Sequence, residues 1–169
     1  MLWAYVIIGL VALQRLFELV YANHNTRALM ARGAVEIGRA HYPMLIAVHV
    51  AWFVAIVAFL GHPPVINWYL IALMLLLQLG RLWVLVTLGP YWTTRIITLP
   101  AAPLVKKGPY RFISHPNYAV VIAEIACLPA AFGEWKTMIV FSILNAAVLI
   151  LRIRQEELAL NPRRALAGQ

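Results

Sequence analysis

Five long apolar segments constrain this sequence more than any other feature. They cover residues 2–21, 41–60, 66–88, 118–132 and 136–153. Most approach the ~20 residues that a helix needs to cross the hydrocarbon core of a bilayer, and the fourth is the shortest. Because 63% of the residues are hydrophobic and only 12% are charged, the chain has too few charges to cover a soluble domain. We therefore predict an all-α integral membrane protein with about five transmembrane helices, forming a single domain over residues 1–169.

The distribution of charge predicts how these helices are oriented. Fourteen Lys and Arg residues face six acidic residues, which gives a net charge of +8. The segments 22–40 and 89–117 and the C-terminal tail are basic, whereas 61–65 and 133–136 are nearly neutral. Since basic loops stay on the cytoplasmic side, we predict an N-terminus outside and a C-terminus in the cytoplasm. The positive charge is assigned to topology and to contact with anionic membrane lipids, and no nucleic-acid partner is predicted.

Ionisable residues at membrane depth are the next informative feature, because each is costly unless it is paired or hydrated. Arg15 and Glu18 are one helical turn apart, a spacing that allows pairing or a functional role. Arg81 either extends to the inner surface or reaches an internal polar pocket, and Glu124 at similar depth is its natural partner. These residues lie toward the inner face, so we expect a site that opens to the inside. No spacing typical of a metal site occurs, and none is predicted.

The densest polar stretch covers residues 106–118 and runs into the fourth apolar segment. Pro116 suits the first turn of a helix, where a missing N–H costs nothing. The open N–H groups at such a helix start, together with Arg111 and His115, would suit an anion. A basic loop that lies on lipid headgroups is the alternative interpretation.

A second charged cluster, residues 152–157, ends the fifth apolar segment. Arg152 and Glu156 are spaced i, i+4, and we expect them to pair. Glu156 and Glu157 point about 100° apart on a helix, so only one can face the bundle fully. Two acids at a helix C-terminus oppose the helix dipole, which indicates a functional reason, although pairing with nearby arginines would also suffice.

These two clusters resemble the isoprenylcysteine carboxyl methyltransferase family, whose signature is Arg-His-Pro-x-Tyr followed by a Glu-Glu pair. The matching residues here are 115–118 and 156–157, with Gly-Pro-Tyr-Arg at 108–111 before them. Ser114 stands where the family has the signature arginine, and Arg111 is the candidate to substitute for it. Further similarities upstream extend the resemblance over nearly the whole chain.

The resemblance implies a methyltransferase domain over residues 1–169 that uses S-adenosylmethionine, with the cofactor-binding part at 104–160. The implied cofactor-binding residues are Tyr110, Arg111, His115, Pro116, Asn117, Tyr118, Arg152, Glu156 and Glu157. The implied catalytic residues are Glu157, Glu156 and His115.

The methyl acceptor implied by the resemblance is an oxygen, carboxylate or phenol, of a lipophilic molecule that enters from the bilayer. An isoprenylcysteine-type or phenolic lipid fits this description. The candidate substrate residues are Arg81, Trp83, Trp92 and Glu124. An interfacial aromatic belt is the alternative role for the two tryptophans and for Tyr91. The small size resembles bacterial members, so we expect a bacterial inner membrane protein whose active site faces the cytoplasm.

Two other functions remain open at this point. A membrane reductase of the related superfamily would use NADPH, but it would need more helices and more basic residues for the dinucleotide phosphates. A non-enzymatic membrane scaffold would have no need for charges clustered at the inner face.

Overall fold

A computed structural model describes residues 2–61, 63–99 and 104–167, with side chains as far as residue 160. Within these residues the chain forms five helices: α1 (Leu2–Ala31), α2 (Tyr42–Phe59), α3 (Trp68–Leu88), α4 (Pro116–Ala131) and α5 (Trp135–Ala167). All except α4 are long and apolar enough to cross a membrane. The 16 residues of α4 span about 24 Å. The predicted all-α membrane fold is confirmed.

Two helices continue well beyond the predicted apolar segments. The first segment was predicted to end at residue 21, but α1 continues to Ala31. The fifth was predicted to end at residue 153, but α5 continues to Ala167. Hydropathy marks only the part of a helix that suits hydrocarbon, and residues 22–31 are polar without containing Gly or Pro. The first half of the predicted loop 22–40 is therefore helical.

Helix α4 is the central element of the bundle. Asn67 N at the start of α3 donates to Ala131 O at the end of α4 (2.8 Å), so the two helices run antiparallel past each other. From α2, the buried Trp52 donates its indole N–H to Ile125 O (3.2 Å). Most residues of α4 are buried, because it packs between its neighbours while the other helices face lipid on one side.

Two short antiparallel strands, β1 (Val35–Ile37) and β2 (Ile96–Thr98), join the two basic loops, and the sequence had not indicated them. Val35 pairs with Thr98, and Ile37 pairs with Ile96. Three residues are too few to show an alternating pattern. The pairing places the segments that follow α1 and α3 at one end of the bundle, where α4 begins.

Candidate functional site

A cavity of about 690 Å³ opens at this end of the bundle, between β2, the start of α4 and the C-terminal part of α5. Its volume lies within the roughly 300–1,000 Å³ of small-molecule sites. Its lining includes apolar side chains, among them Leu29, Leu88 and Ile97. It also includes charged and aromatic residues of the two predicted clusters.

The start of α4 supplies one polar wall of the cavity. His115 precedes the helix at the N-cap position, and Pro116 occupies the first turn, as predicted. The His115 ring stacks on the Tyr118 ring, with centroids 5.3 Å apart and planes at 16°. His115, Asn117 and Tyr118 line the cavity, whereas Pro116 is buried in the packing. The proline therefore fixes the position of the helix start.

Helix α5 meets this wall through the hydroxyl of Tyr118. That hydroxyl donates to Glu156 Oε2 and accepts from Arg152 Nε at 2.9 Å. The predicted direct pair between Arg152 and Glu156 is thus replaced by a bridge, because the phenol reaches between the two side chains. Arg152 also donates from Nη2 to Thr94 O (2.6 Å), which ties α4, α5 and the segment before β2 together.

The structure brings the three predicted catalytic residues together. His115 Nδ1 lies 3.9 Å from Glu156 Oε1, and His115 Nε2 lies 3.6 Å from Glu157 Oε1. Glu156 lines the cavity, whereas the side chain of Glu157 is 48% exposed and lies beside it. The two adjacent acids diverge as their spacing on a helix requires, and each approaches a different nitrogen of the same imidazole.

A 3₁₀ turn at Gly108–Arg111 brings Tyr110 and Arg111 to the cavity. Gly108 has φ +58°, and a Cβ there would collide with Thr87 of α3, so the turn requires glycine.

The side chains that this turn carries can both contact a ligand. Burial and, secondarily, the Glu156 carboxylate raise the pKa of Tyr110. Its phenol therefore stays protonated and is a hydrogen-bond donor. Arg111 and Ser114 line the same cavity, which puts Arg111 where it can supply the charge that Ser114 lacks.

The cavity is cationic in a way that the sequence indicated only in part. Arg95 and Lys106 line it together with Arg111 and Arg152, and Glu156 is the acid among the described lining residues. Arg95 also pairs with Glu36 across the two strands (3.0 Å). Sequence reasoning included Lys106 in the polar stretch 106–118 without giving it a role, and it missed Arg95, which the β2 segment brings to the cavity.

The predicted substrate residues fall into three places. Trp92 is 3% exposed and lines the cavity, as does Tyr91. Trp83 is half-exposed on the outside of α3. Arg81 and Glu124 form the predicted ion pair (Nη2 to Oε2, 2.6 Å), buried inside the bundle and apart from the cavity lining. Arg81 therefore reaches an internal polar cluster and does not extend to the surface.

Comparison with known proteins adds a family and two bacterial relatives. The sequence profile described as the isoprenylcysteine carboxyl methyltransferase (ICMT) family matches residues 69–162. The chain is 41% identical over 164 residues to the uncharacterized protein YpbQ of Bacillus subtilis, covering 95% of this chain and 96% of that protein. An uncharacterized protein of Haemophilus influenzae is 24% identical over 152 residues, covering 87% and 88%. No solved structure matches the chain.

Proposed function

The chain belongs to the isoprenylcysteine carboxyl methyltransferase family, and on that premise we propose that it transfers a methyl group from S-adenosylmethionine to an oxygen of a lipophilic acceptor. One observation carries the proposal. Residues of both motifs, from Tyr110 to Glu156, line a single cavity whose lining also includes apolar side chains. Such a cavity suits a charged cofactor and a lipid-soluble acceptor at the same time.

The charged and aromatic lining residues fit the parts of S-adenosylmethionine. Arg111 would hold its carboxylate through charge-assisted hydrogen bonds, and a ring N–H of His115 would donate to the same group. Glu156 would accept from its ammonium group or its ribose hydroxyls. Tyr110 and Tyr118 present aromatic faces suited to the adenine. When bound, S-adenosylmethionine supplies an electrophilic methyl group on a positively charged sulfur.

For methyl transfer to oxygen, the site must mainly position the methyl group against the acceptor oxygen and exclude water. A carboxylate acceptor needs no base. A phenol acceptor must lose its proton, and Glu156, Glu157 or His115 would take it. Tyr110 is poorly suited to be that base, because burial and the Glu156 carboxylate raise the pKa of its phenol further above neutral pH. It would instead donate a hydrogen bond to an oxygen in the cavity.

Apolar residues in the lining of the cavity support entry of the acceptor from the bilayer. Leu29 at the end of α1, Leu88 at the end of α3 and the buried Trp92 are among them. An isoprenylcysteine-type carboxylate and a phenolic lipid both have a polar reactive end and an apolar body. Either would place its oxygen beside the charged lining residues, with its apolar body toward the lipid.

We further propose that the protein lies in a bacterial inner membrane with this cavity toward the cytoplasm. The strand pairing puts both basic loops at the cavity end, and positively charged loops are retained in the cytoplasm. A reporter fused to the C-terminus should be active only in the cytoplasm. A reporter active on the outer side would overturn the proposed orientation.

Calorimetry on the detergent-solubilised protein tests the cofactor. S-adenosylhomocysteine should bind with a micromolar or lower Kd, and NADPH should give no heat of binding. NADPH binding without S-adenosylhomocysteine binding would contradict the proposal and favour the reductase.

Transfer of a labelled methyl group then separates the two acceptor classes. Lipid carboxylic acids and phenolic lipids of equal chain length are offered with S-adenosylmethionine, each beside its methyl ester or methyl ether as a blocked control. The proposal expects label in one unblocked class. Absence of label from both classes, in a protein that binds the cofactor, would contradict methyl transfer to oxygen.

A further inference from the structure

Six polar side chains form a closed ring inside the bundle, where α1, α3 and α4 meet. Its members are Gln14, Arg15, Glu18, Gln78, Arg81 and Glu124. The ring, as we call this cluster, contains two cations and two anions, so it is neutral overall. Arg81 and Glu124 are 3% and 2% exposed. Charges at such depth persist only when they are paired.

Cations and anions alternate around the ring. Arg15 Nη1 donates to Glu18 Oε2 at 2.9 Å, and Arg15 Nη2 donates to Glu124 Oε2 at 2.6 Å. Arg81 Nη1 donates to Glu18 Oε2 at 3.2 Å, and Arg81 Nη2 donates to Glu124 Oε2 at 2.6 Å. Each guanidinium therefore bridges both carboxylates, and α1 is joined to α3 and α4 by ionic contacts.

The two glutamines complete the ring. Gln14 Nε2 donates to Glu18 Oε1 at 2.9 Å and to Gln78 Oε1 at 2.6 Å. Gln78 Nε2 donates to Glu124 Oε1 at 2.9 Å. Every carboxylate oxygen of the ring thus accepts a hydrogen bond. A fully satisfied buried network rigidifies the elements that it joins.

One contact links the ring to the cavity. Arg81 Nη1 also donates to the side-chain oxygen of Asn117 at 3.3 Å, and Asn117 lines the cavity from the first turn of α4. Because the amide oxygen of Asn117 is held by a cation, its NH₂ group is the part left to donate to a ligand. We propose, resting on the function proposed above, that the ring is a positioning device that orients Asn117 as a donor to the cofactor.

Helix α1 is the least expected participant in this device. It supplies three of the six ring members, yet it lies outside the segment 69–162 that matches the family. Asn25 of the same helix donates to Gly89 O (3.1 Å) and Trp92 O (2.9 Å), at the turn that forms another wall of the cavity. Helix α1 therefore contacts the walls of the cavity in two places, at Asn25 directly and through the ring. Within the ring, Glu18 and Arg15 act on the cavity only through Arg81.

A double-mutant cycle on cofactor affinity tests the proposal. The Kd of S-adenosylhomocysteine is measured by calorimetry for the wild type, Glu18→Gln, Asn117→Ala and the double variant. Each single variant should weaken binding about tenfold, the loss expected for one hydrogen bond to a ligand. The double variant should bind no more weakly than Asn117→Ala alone, since Glu18 acts only through that amide.

Three further variants separate positioning from general destabilisation. Arg15→Gln with Glu18→Gln keeps the ring neutral, and this pair should recover most of the affinity lost in Glu18→Gln. Gln14→Leu removes ring hydrogen bonds without changing the charge, and it should also weaken S-adenosylhomocysteine binding. It replaces Glu18→Gln as the test variant if Glu18→Gln does not fold. Glu134→Gln makes the same charge change at the opposite end of the bundle, between α4 and α5, and should leave the Kd unchanged.

The outcomes distinguish this inference from the function on which it rests. Failure of the wild type to bind S-adenosylhomocysteine would overturn the proposed function and this inference with it. If the wild type binds but the factors by which Glu18→Gln and Asn117→Ala raise the Kd multiply in the double variant, the two residues act independently. That result would overturn the positioning role and leave the proposed function intact. Wild-type affinity in Glu18→Gln would do the same.

Discussion

The ring and the cavity contain similar charged groups under opposite conditions. In the ring, every ion pair is between 2.6 and 3.2 Å and every carboxylate oxygen accepts a hydrogen bond. In the cavity, His115 lies 3.6 and 3.9 Å from two carboxylates, and Lys106 and Arg111 are exposed. Deep charges are stable only when they are fully paired. Charges that remain loosely paired near water retain the capacity to bind a charged ligand.

Removal of one anion from each region should give the largest difference in stability between the ring and the cavity. Glu124→Ala leaves the buried Arg81 and the partly buried Arg15 with only one carboxylate between them. We expect its free energy of unfolding in detergent to fall by about 3–5 kcal/mol, the cost of breaking a buried ion pair. Glu157→Ala, whose carboxylate is half-exposed, should lose less than about 1 kcal/mol. Equal losses in the two variants would show that the regions do not differ as described.

For ligand binding, we expect a charge that lines the cavity to matter most. Glu156→Gln keeps the size of the side chain but removes its charge from the cavity, and S-adenosylhomocysteine should bind about 10- to 100-fold more weakly, as for a hydrogen bond to a charged group. Glu157→Gln is the matched control, because Glu157 lies beside the cavity, and its effect should be smaller. A larger effect of Glu157→Gln in calorimetry would assign the contact to the other acid of the pair.

A glycine substitution should disturb the cavity wall without touching the ring. Gly108→Ala puts a Cβ against Thr87 at a positive φ, so the 3₁₀ turn that carries Tyr110 and Arg111 must shift. Gly33 has φ +85° with open space around it, and Gly33→Ala therefore isolates the backbone strain. Thermal or denaturant unfolding should show Gly108→Ala to be less stable than Gly33→Ala by roughly 1–2 kcal/mol, the cost of overpacking. Indistinguishable stabilities would mean that the turn adapts without strain.

The smallest effect is expected at a pair of intermediate exposure. The side chains of Arg95 and Glu36 are 30% and 14% exposed. Such a pair contributes less than about 1 kcal/mol, so Glu36→Gln should barely change the unfolding free energy. A loss as large as that in Glu124→Ala would show that depth in the bundle does not govern the value of an ion pair here.

The helices were predictable because hydropathy reports which segments suit hydrocarbon. It could not locate the ends of α1 and α5, since residues 22–31 leave the hydrocarbon without leaving the helix. The strands β1 and β2 are three residues each, and their pairing depends on where α1 and α3 end. The relative position of these two helix ends is set by tertiary packing, so neither short segment alone predicts the pairing.

The buried pairs were partly predictable, and the ring was not. The spacing of Arg15 and Glu18 and the matching depth of Arg81 and Glu124 indicated two separate pairs, and both are confirmed. Their union into one ring requires the packing of α1 against α3 and α4.

The residues that line the cavity were also only partly predictable from the sequence. The family resemblance identified His115, Tyr118 and Glu156, which carry the motifs, and all three line the cavity. It gave no role to Arg95 or Lys106, although Lys106 begins the polar stretch 106–118. Arg95 belongs to no motif, and its place in the cavity lining depends on where the chain around β2 lies. The roles of His115, Tyr118 and Glu156 in binding and catalysis remain predictions.

A structure determined with S-adenosylhomocysteine bound, in detergent or a lipid nanodisc, would show whether the cavity is the cofactor site. We expect the ligand in the cavity between β2, the start of α4 and the C-terminal part of α5, with its charged end within contact distance of His115 and Glu156. We also expect that the ring remains closed and that the amide nitrogen of Asn117 faces the ligand. A ligand bound elsewhere on the protein, or a cavity filled by a segment of the chain itself, would show that the cavity is not the cofactor site.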